Sequence, residues 1–197
     1  MAGGEQTLSI TYWYLKEILK TQSPAAVVLE GTGVFFQPYQ SYTQQNVSLM
    51  PLSENKLGAI FTASEPELRP GLLFDLYFYH GRWNEIRPAD VKKAVFGAQW
   101  NEYKGFTPME KGEESIGEAP VLYDRPVEPE VYADNLAWLG KILTLCRENG
   151  VQPIMVFHPC YTRCTEETYA RIGRDVWDLD PNAIFFAWSA EFEEIGL

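Results

Sequence analysis

The sequence predicts an α/β fold built on a parallel sheet, and three observations lead to that prediction. Short apolar runs with β-branched residues, typical of buried strands, occur at residues 26–30, 153–157 and 183–187. Segments with helical periodicity precede and separate these runs. The resulting order is helix, strand, helical insertion, helix, strand, helix, strand. Such alternation favours parallel strands with helices on both faces, which is a three-layer arrangement.

The helices have recognisable faces and ends. Residues 8–20 place several large apolar side chains on one face: Leu8, Tyr12, Leu15 and Leu19. A second helix is predicted over residues 130–149, and Gly150 stands where a glycine commonly ends a helix. Thr165 is the predicted N-cap of a third helix, with Glu166 and Glu167 favourably placed in its first turn.

Between the first two strands, residues 40–127 are predicted to form a helical and loop insertion within a single domain of residues 1–197. Ser53 is a plausible N-cap for a helix in "SENKLGAIFTAS", and Pro70 interrupts "ELRPGLLFDLYFYH". "RPADVKKAVF" predicts another short helix. Residues 97–127 are rich in Gly, Pro and Glu and predict a long surface excursion.

Composition excludes several classes of function. The net charge is −11, which argues against a nucleic-acid partner because phosphate binding needs clustered Lys and Arg. No apolar run reaches membrane-spanning length, and the sequence shows no signal peptide pattern. Three cysteines without a framework spacing argue against a disulfide-stapled module. The compartment in which the protein works stays open.

Candidate site residues follow from the expected fold. Ligands of open parallel sheets bind beyond the carboxyl ends of the strands, and these ends carry Glu30, His158 and the Trp188-Ser189 pair. The Gly3-Gly4 turn, at the start of the first helix, belongs at the same edge. Each residue also has a structural interpretation: Glu30 as a solvated strand end, His158 as a braced histidine and the glycines as a frayed terminus.

A role for His80, a zinc site and a catalytic triad have weaker support in the sequence. His80 in "YHGRW" fits a helix-end histidine beside a core Trp83. His158, Cys160 and Cys164 suggest zinc, but they lack a CxxC pair and a fourth ligand, so we expect no metal and no cofactor. No Gly-x-Ser-x-Gly or Asp-x-x-His motif marks a catalytic triad, so no catalytic residue is assigned.

Three segments nevertheless resemble, in the same order, SGNH/GDSL-type hydrolase-like proteins of Gram-positive bacteria. "GGEQTLSITYWYLKEILKTQSPAAVVLEG" resembles a block in which a Gly/Ser-rich turn and a Gln lead into a helix and then a "VVLE" strand. "YHGRW" resembles the family's His-x-Arg-Trp segment. "NLAWLGKILTLCRENGVQPIMVFHPCY" resembles its later helix–strand unit, and the resemblance covers most of residues 3–188.

The resemblance implies a flavodoxin-like, three-layer α/β domain that performs ester hydrolysis or acyl transfer on cell-surface carbohydrate. It implies that Gly3 or Gly4 donates a backbone N–H to an oxyanion hole. The pocket candidates that the resemblance and the strand ends supply together are Gly3, Gly4, Gln6, Glu30, His80, Arg82, Trp83 and His158. The implied partner is an acylated carbohydrate or other ester, and the implied setting is extracytoplasmic or the cell envelope.

The family's nucleophilic serine precedes the block that matches Gly3, and its Asp-x-x-His follows the strand that matches "AIFFAW". We therefore expect the sequence to be an incomplete domain that is inactive by itself and that self-associates through an unpaired sheet edge. The alternative is a non-catalytic carbohydrate-binding or scaffold protein of the same fold. Exposed aromatic residues at the strand ends would favour that alternative.

Overall fold

A computed structural model of the 197-residue chain describes residues 6–39, 42–73, 87–88, 121–122, 128–158 and 162–188. The helices of these ranges are α1 (Leu8–Ile18), α2 (Thr43–Ser48), α3 (Glu54–Ala63), α4 (Arg69–Leu73), α5 (Pro129–Glu148) and α6 (Glu166–Leu179). The strands are β1 (Ala26–Glu30), β2 (Val121–Leu122), β3 (Gln152–Phe157), β4 (Thr162–Arg163) and β5 (Ile184–Ala187). Two 3₁₀ helices span Gly31–Phe35 and Pro66–Leu68.

The main sheet confirms the predicted parallel strands. Its strands lie in the order β1-β3-β5 and pair in parallel, with Ala26 opposite Gln152 and Ile154 opposite Ile184. Because crossovers between parallel strands are right-handed, a strand order that advances in one direction places the connecting helices on one face. The described part of the chain is therefore mixed α/β, with more helix than strand and a small parallel sheet.

One face of this sheet carries the main core. Leu29, Met155 and Phe157 are buried there. They pack with buried residues of three helices: Leu8 and Leu15 of α1; Leu139, Ile142, Leu143 and Cys146 of α5; and Tyr169, Ile172 and Val176 of α6. Burial of these side chains supplies the apolar contacts that hold the helices against the strands.

The opposite face differs from the expectation that β1 is covered on both faces. Val28 of β1 is 68% exposed, and Ile184 and Phe186 of β5 are 38% and 42% exposed. These side chains alternate with the core-facing residues, since successive residues of a strand point to opposite faces. The prediction of a doubly covered β1 is wrong. An apolar run alone does not distinguish a strand buried on two faces from one buried on one face.

Helix α1 joins the sheet to the helical segment that follows β1. Leu8 and Leu15 pack into the main core, whereas Ile10 and Tyr14 belong to a second core with residues of α3. The Tyr14 hydroxyl donates to the Asn46 backbone oxygen over 2.6 Å, and burial raises the pKa of Tyr14. The predicted apolar face of α1 is confirmed, and the helix is buried on a second side as well.

The predicted helix ends are largely confirmed. Side-chain oxygens of Ser53 and Thr165 accept backbone N–H groups at the starts of α3 and α6. Gly150 follows α5 with a φ of 66°, a conformation that glycine adopts without strain. Helix α4 begins at Arg69 with Pro70 in its first turn. The predicted continuation to residue 80 and the predicted helix after Pro88 lie mainly outside the described residues.

Sequence patterns missed several small elements, including both strands of the two-stranded sheet. The predicted surface excursion of residues 97–127 contains β2, which pairs in parallel with β4 just beyond β3. The 3₁₀ helix directly after β1 was also not predicted. Two-residue strands are too short to show periodicity, so their pairing is a tertiary effect. Within the described residues, no helix combines the length and apolar character needed to span a membrane.

The contact between α1 and α3 gives a first prediction. A β-carbon at Gly58 would lie well inside contact distance of the Trp13 ring, whereas one at Gly140 of α5 would meet Leu179 at 3.4 Å. We expect Gly58→Ala to destabilise the protein by about 1–3 kcal/mol through overpacking. Gly140→Ala should instead stabilise it by about 0.5–1 kcal/mol because alanine favours the helix. Urea unfolding of both variants measures these changes, and two shifts of the same sign would contradict the packing described here.

A second prediction concerns Glu17, which ties α1 to α3. Its Oε2 accepts hydrogen bonds from Asn55 Nδ2 at 2.7 Å and Ser53 Oγ at 2.9 Å, and these bonds hold the pKa of the carboxyl below its ordinary value. The stabilisation is therefore fully present above that ordinary value and is lost as the pH falls through the lowered pKa of the folded protein. Glu17→Gln should lower the melting temperature at about pH 7, and this difference should shrink progressively as the pH falls below about 4.

The matched control is Glu54→Gln. Glu54 is 80% exposed and contacts Lys20 over 3.7 Å, an arrangement that contributes little stability in water. Thermal unfolding across the same pH range should therefore be nearly the same for this variant and the parent protein. A Glu17→Gln effect that is equally large in acid would assign the role of Glu17 to packing.

Candidate functional site

The carboxyl ends of β1 and β3 bring Glu30 and His158 together, as predicted. Glu30 lies opposite Val156 in the strand register, and Val156 lies opposite Phe186 of β5. Paired residues of parallel strands share a face, so Glu30, Val156 and Phe186 form one row across the exposed face. His158 follows β3 and contacts Glu30, and it therefore extends this row toward the carboxyl edge.

The contact between Glu30 and His158 is short. His158 Nδ1 lies 2.6 Å from Glu30 Oε2, and the two side chains are 57% and 46% exposed. An ionised carboxylate only accepts hydrogen bonds, so Nδ1 carries the proton and donates it to Glu30. In the neutral imidazole, Nε2 is then a hydrogen-bond acceptor, which is the state required of a base or of an acceptor for a ligand hydroxyl.

The second oxygen of Glu30 fixes the carboxylate in place. Glu30 Oε1 accepts the backbone N–H of Thr32 at 3.2 Å, so Glu30 caps the 3₁₀ helix that follows β1. Gly31 lies directly over the Phe157 ring, and a β-carbon there would overlap the ring. The close approach of Gly31 to Phe157 lets the chain turn immediately after Glu30, next to the strand end that carries His158.

A side chain of helix α5 forms hydrogen bonds with the backbone of this turn. The Asn135 amide is buried and donates to the backbone oxygens of Val34 at 3.0 Å and Phe36 at 2.8 Å. These bonds satisfy two carbonyls at the end of the 3₁₀ helix, where intrahelical partners run out. A β-carbon added at Gly33 would lie 3.3 Å from the side chain of Leu8, in the first turn of α1. The start of α1 is therefore adjacent to the same turn.

An aromatic pair forms the other side of the row. Phe186 and Trp188 stack with ring centroids 5.4 Å apart and an interplanar angle of 21°, and they are 42% and 45% exposed. Val156, between the two sides, is only 9% exposed. We call Glu30, His158, Phe186 and Trp188 the edge site. It has a polar wall, an aromatic wall and an apolar floor.

Sequence reasoning identified three of these four residues. Trp188 is predicted as a strand end, whereas Phe186 is predicted as a strand residue and not as a site residue. Alternation places Phe185 and Phe186 on opposite faces, but every residue of "IFFAW" is apolar, so the sequence does not indicate which of the two faces the helices cover. With α6 packed on one face of β5, Phe186 cannot share the environment of Phe185, which contacts Phe157 and Trp177.

The remaining candidates have different positions. Gln6 lies just before α1, where its Nε2 donates to Thr11 Oγ1 at 2.9 Å. The other pocket candidates lie outside the described residues: Gly3, Gly4, His80, Arg82 and Trp83. The oxyanion role implied for Gly3 or Gly4 is therefore still a prediction.

Cysteine chemistry has no support at this edge. Cys146 is fully buried in the main core, where burial, and secondarily the charge of Asp180, raises the pKa of its thiol to about 11. A thiol of this kind is inert because the thiolate is the reactive form. Cys160 lies outside the described residues. Among the ranges that the structure describes, no three His, Cys, Asp or Glu side chains are grouped closely enough to hold a metal.

A comparison of the chain with protein-family models, curated proteins and solved structures gave no match.

The geometry of His158 gives a third prediction. Because Nδ1 donates to Glu30, we expect neutral His158 to be the Nδ1–H tautomer, whereas free imidazole side chains favour Nε2–H. Long-range ¹H–¹⁵N correlation NMR distinguishes the tautomers, and His158→Gln assigns the signals because the chain has two histidines. Glu30→Gln should shift the equilibrium toward Nε2–H. Glu128→Gln, at the start of α5, is the control and should have no effect.

An Nε2–H tautomer in the parent protein would contradict the described contact. An unchanged tautomer ratio in Glu30→Gln would show that Glu30 does not orient the ring.

Proposed function

We propose that this chain binds an acylated, otherwise neutral carbohydrate at the edge site and does not hydrolyse it. The observation that supports the proposal is the pairing of an exposed aromatic wall with a carboxylate–imidazole wall on one strand row. The proposal includes the finer assignment to an SGNH/GDSL-type, three-layer flavodoxin-like domain, for which the support is the order of the three resembling segments.

Carbohydrate chemistry fits the two walls. A pyranose ring has a face of C–H groups, which stacks on aromatic rings, and an edge of hydroxyl groups, which needs strong acceptors and donors. Phe186 and Trp188 offer the first surface, and their amphipathic, rigid rings lose little conformational entropy on binding. Glu30 Oε2 and the His158 ring offer acceptors for hydroxyl groups.

Charge restricts the ligand class further. The net charge of −11 disfavours an anionic glycan because the field of the protein repels it. A neutral sugar is not repelled by this field. The ester component of the proposal comes from the resemblance, whose family acts on acyl esters.

Absence of turnover is expected from the sequence. It contains neither Gly-x-Ser nor Asp-x-x-His, the two motifs that carry the nucleophile and base in the family it resembles. An oxyanion donor without them supplies a small part of the rate enhancement of a complete triad. We therefore expect no release of acetate from p-nitrophenyl acetate above the uncatalysed rate, and no labelling by a fluorophosphonate.

A second candidate function is hydrolysis at the edge site itself. The 2.6 Å contact between Glu30 and His158 favours it, because a carboxylate that orients a histidine is the arrangement of a general base. Esterase activity that disappears in His158→Ala or Ser189→Ala would establish this function in place of binding alone.

A matched pair of tryptophan variants tests binding. Trp188 of the edge site is 45% exposed, and Trp177 of α6 is 47% exposed but packs against Phe185 on the core side of the sheet. We expect Trp188→Ala to weaken binding of acetylated xylotriose at least about tenfold, equivalent to about 1.4 kcal/mol. Trp177→Ala should change it less than about twofold. Isothermal titration calorimetry measures both constants, with circular dichroism as the check that each variant is folded.

Equal effects of the two substitutions would contradict the proposed location. No binding of acetylated xylotriose or of its deacetylated form by the parent protein would contradict the proposed function.

A further inference from the structure

We infer that two copies of this chain associate through their α5 helices, which pack antiparallel around a twofold axis near Thr144 and Leu145. The inference concerns the helical side of the molecule and does not depend on the proposed carbohydrate function. It is based on a groove along α5 and on two charged residues that line the groove, Lys141 and Glu148.

The groove lies on the solvent-facing side of α5 and has a volume of about 490 Å³. Small side chains form much of its lining, those of Ala137, Gly140 and Thr144, and it is bordered by Tyr12 of α1 and Leu179 of α6. The distance between two packed helices depends on the side chains at the contact. A lining of small residues therefore lets a second helix approach α5 closely.

Two charges on the same side of α5 have no partner of opposite sign. Lys141 and Glu148 are separated by about two helical turns, or about 10.5 Å along the helix axis, so they point in nearly the same direction. Both are exposed, and within the described ranges neither forms an ion pair. The Lys141 ammonium lies 3.7 Å from the centre of the Trp138 ring, a cation–π contact that restricts its position.

The position of Glu148 is unfavourable in the single chain. It is the last residue of α5, where the negative end of the helix dipole disfavours a carboxylate. The neighbouring Arg147 is directed elsewhere, to Asp180 over 3.8 Å and to Thr144 Oγ1 over 3.4 Å. A cation from a second molecule would relieve this electrostatic cost.

Twofold symmetry makes the two charges complementary to themselves. In a symmetric contact of this kind, residue i of one copy meets residue j of the other, and j meets i. Lys141 and Glu148 are equally far along α5 from the point between Thr144 and Leu145. With the axis at that point, Lys141 of each copy lies opposite Glu148 of the other, and one pair of residues forms two ion pairs.

The charge pattern decides between possible occupants of the groove. A ligand with one sign of charge would satisfy only Lys141 or only Glu148, whereas a second copy supplies both signs at the required spacing and in reversed order. The net charge of −11 does not prevent this contact, because exposed charges farther apart than about 8 Å are screened at physiological ionic strength. The surface differs from the unpaired sheet edge through which the sequence predicts self-association.

Charge-exchange variants test the inference by sedimentation velocity in about 0.15 M salt. The parent protein should dimerise at about 0.1–1 mM, since an interface centred on one helix per copy is small. Lys141→Glu and Glu148→Lys should each weaken association at least about tenfold, because each creates two like-charge contacts. The double variant Lys141→Glu/Glu148→Lys restores both ion pairs with the signs exchanged, so its dissociation constant should return to within about threefold of the parent value.

A mixture of the two single variants gives an independent check. One variant carries two carboxylates at the contact and the other carries two ammonium groups, so an equimolar mixture should form a heterodimer although each variant alone is monomeric. Arg174→Glu is the matched control: it makes the same charge change as Lys141→Glu at an exposed position of α6 that does not line the groove. Circular dichroism checks that every variant is folded.

Four results would overturn the inference. A parent protein that stays monomeric at about 1 mM would exclude the dimer. Single variants that dimerise like the parent would place the contact on another surface, such as the exposed face of the sheet. An equal loss of association in Arg174→Glu would assign the effect to net charge, and a double variant as weak as the single variants would exclude the pairing of Lys141 with Glu148.

Discussion

The direction in which the strands follow one another determines the arrangement of the described structure. From β1 to β3 to β5 the chain always advances to the next position in the sheet, and right-handed crossovers then place α5 and α6 on one face. Helix α1 packs on that same face. Among the described residues the core therefore lies on one side of the sheet, and Val28, Ile184 and Phe186, which point away from it, are exposed. The edge site exists because of this asymmetry.

The turn that follows β1 is the second feature on which the edge site depends. Three interactions fix the same short segment. Gly31 packs against the Phe157 ring, the Asn135 amide donates to two backbone carbonyls, and Glu30 accepts the backbone N–H of Thr32. The side chains of the edge site lie at strand ends whose backbone is thus held by the core. A preorganised site of this kind loses little entropy when a ligand binds, because the polar wall is already oriented.

Much of this arrangement could be predicted from local patterns. The strands that contain Glu30 and Phe157 are apolar enough to identify, and the carboxyl-end rule then predicts that Glu30 and His158 lie at the same edge of the sheet. The caps Ser53 and Thr165 follow from side-chain chemistry alone.

What sequence reasoning missed depends on tertiary context. The exposure of Val28 and Phe186 results from which face the helices cover, and no property of "VVLE" or "IFFA" contains that information. The pairing of β2 with β4 joins segments about 40 residues apart and involves two residues each. Glu30 is both the last residue of β1 and the N-cap of the 3₁₀ helix that follows. Only the folded backbone shows the second role.

The sequence separation of the paired strands has a consequence for folding. Strand β4 and helix α6 lie between β3 and β5, so pairing of these two strands closes a short loop, whereas α2 to α5 lie between β1 and β3. The entropy of closing that longer loop opposes early pairing of β1. We therefore expect the unit from α5 to β5 to form before β1 pairs with β3. Since Glu30 is on β1 and His158 follows β3, the contact between these two side chains would then be completed late in folding.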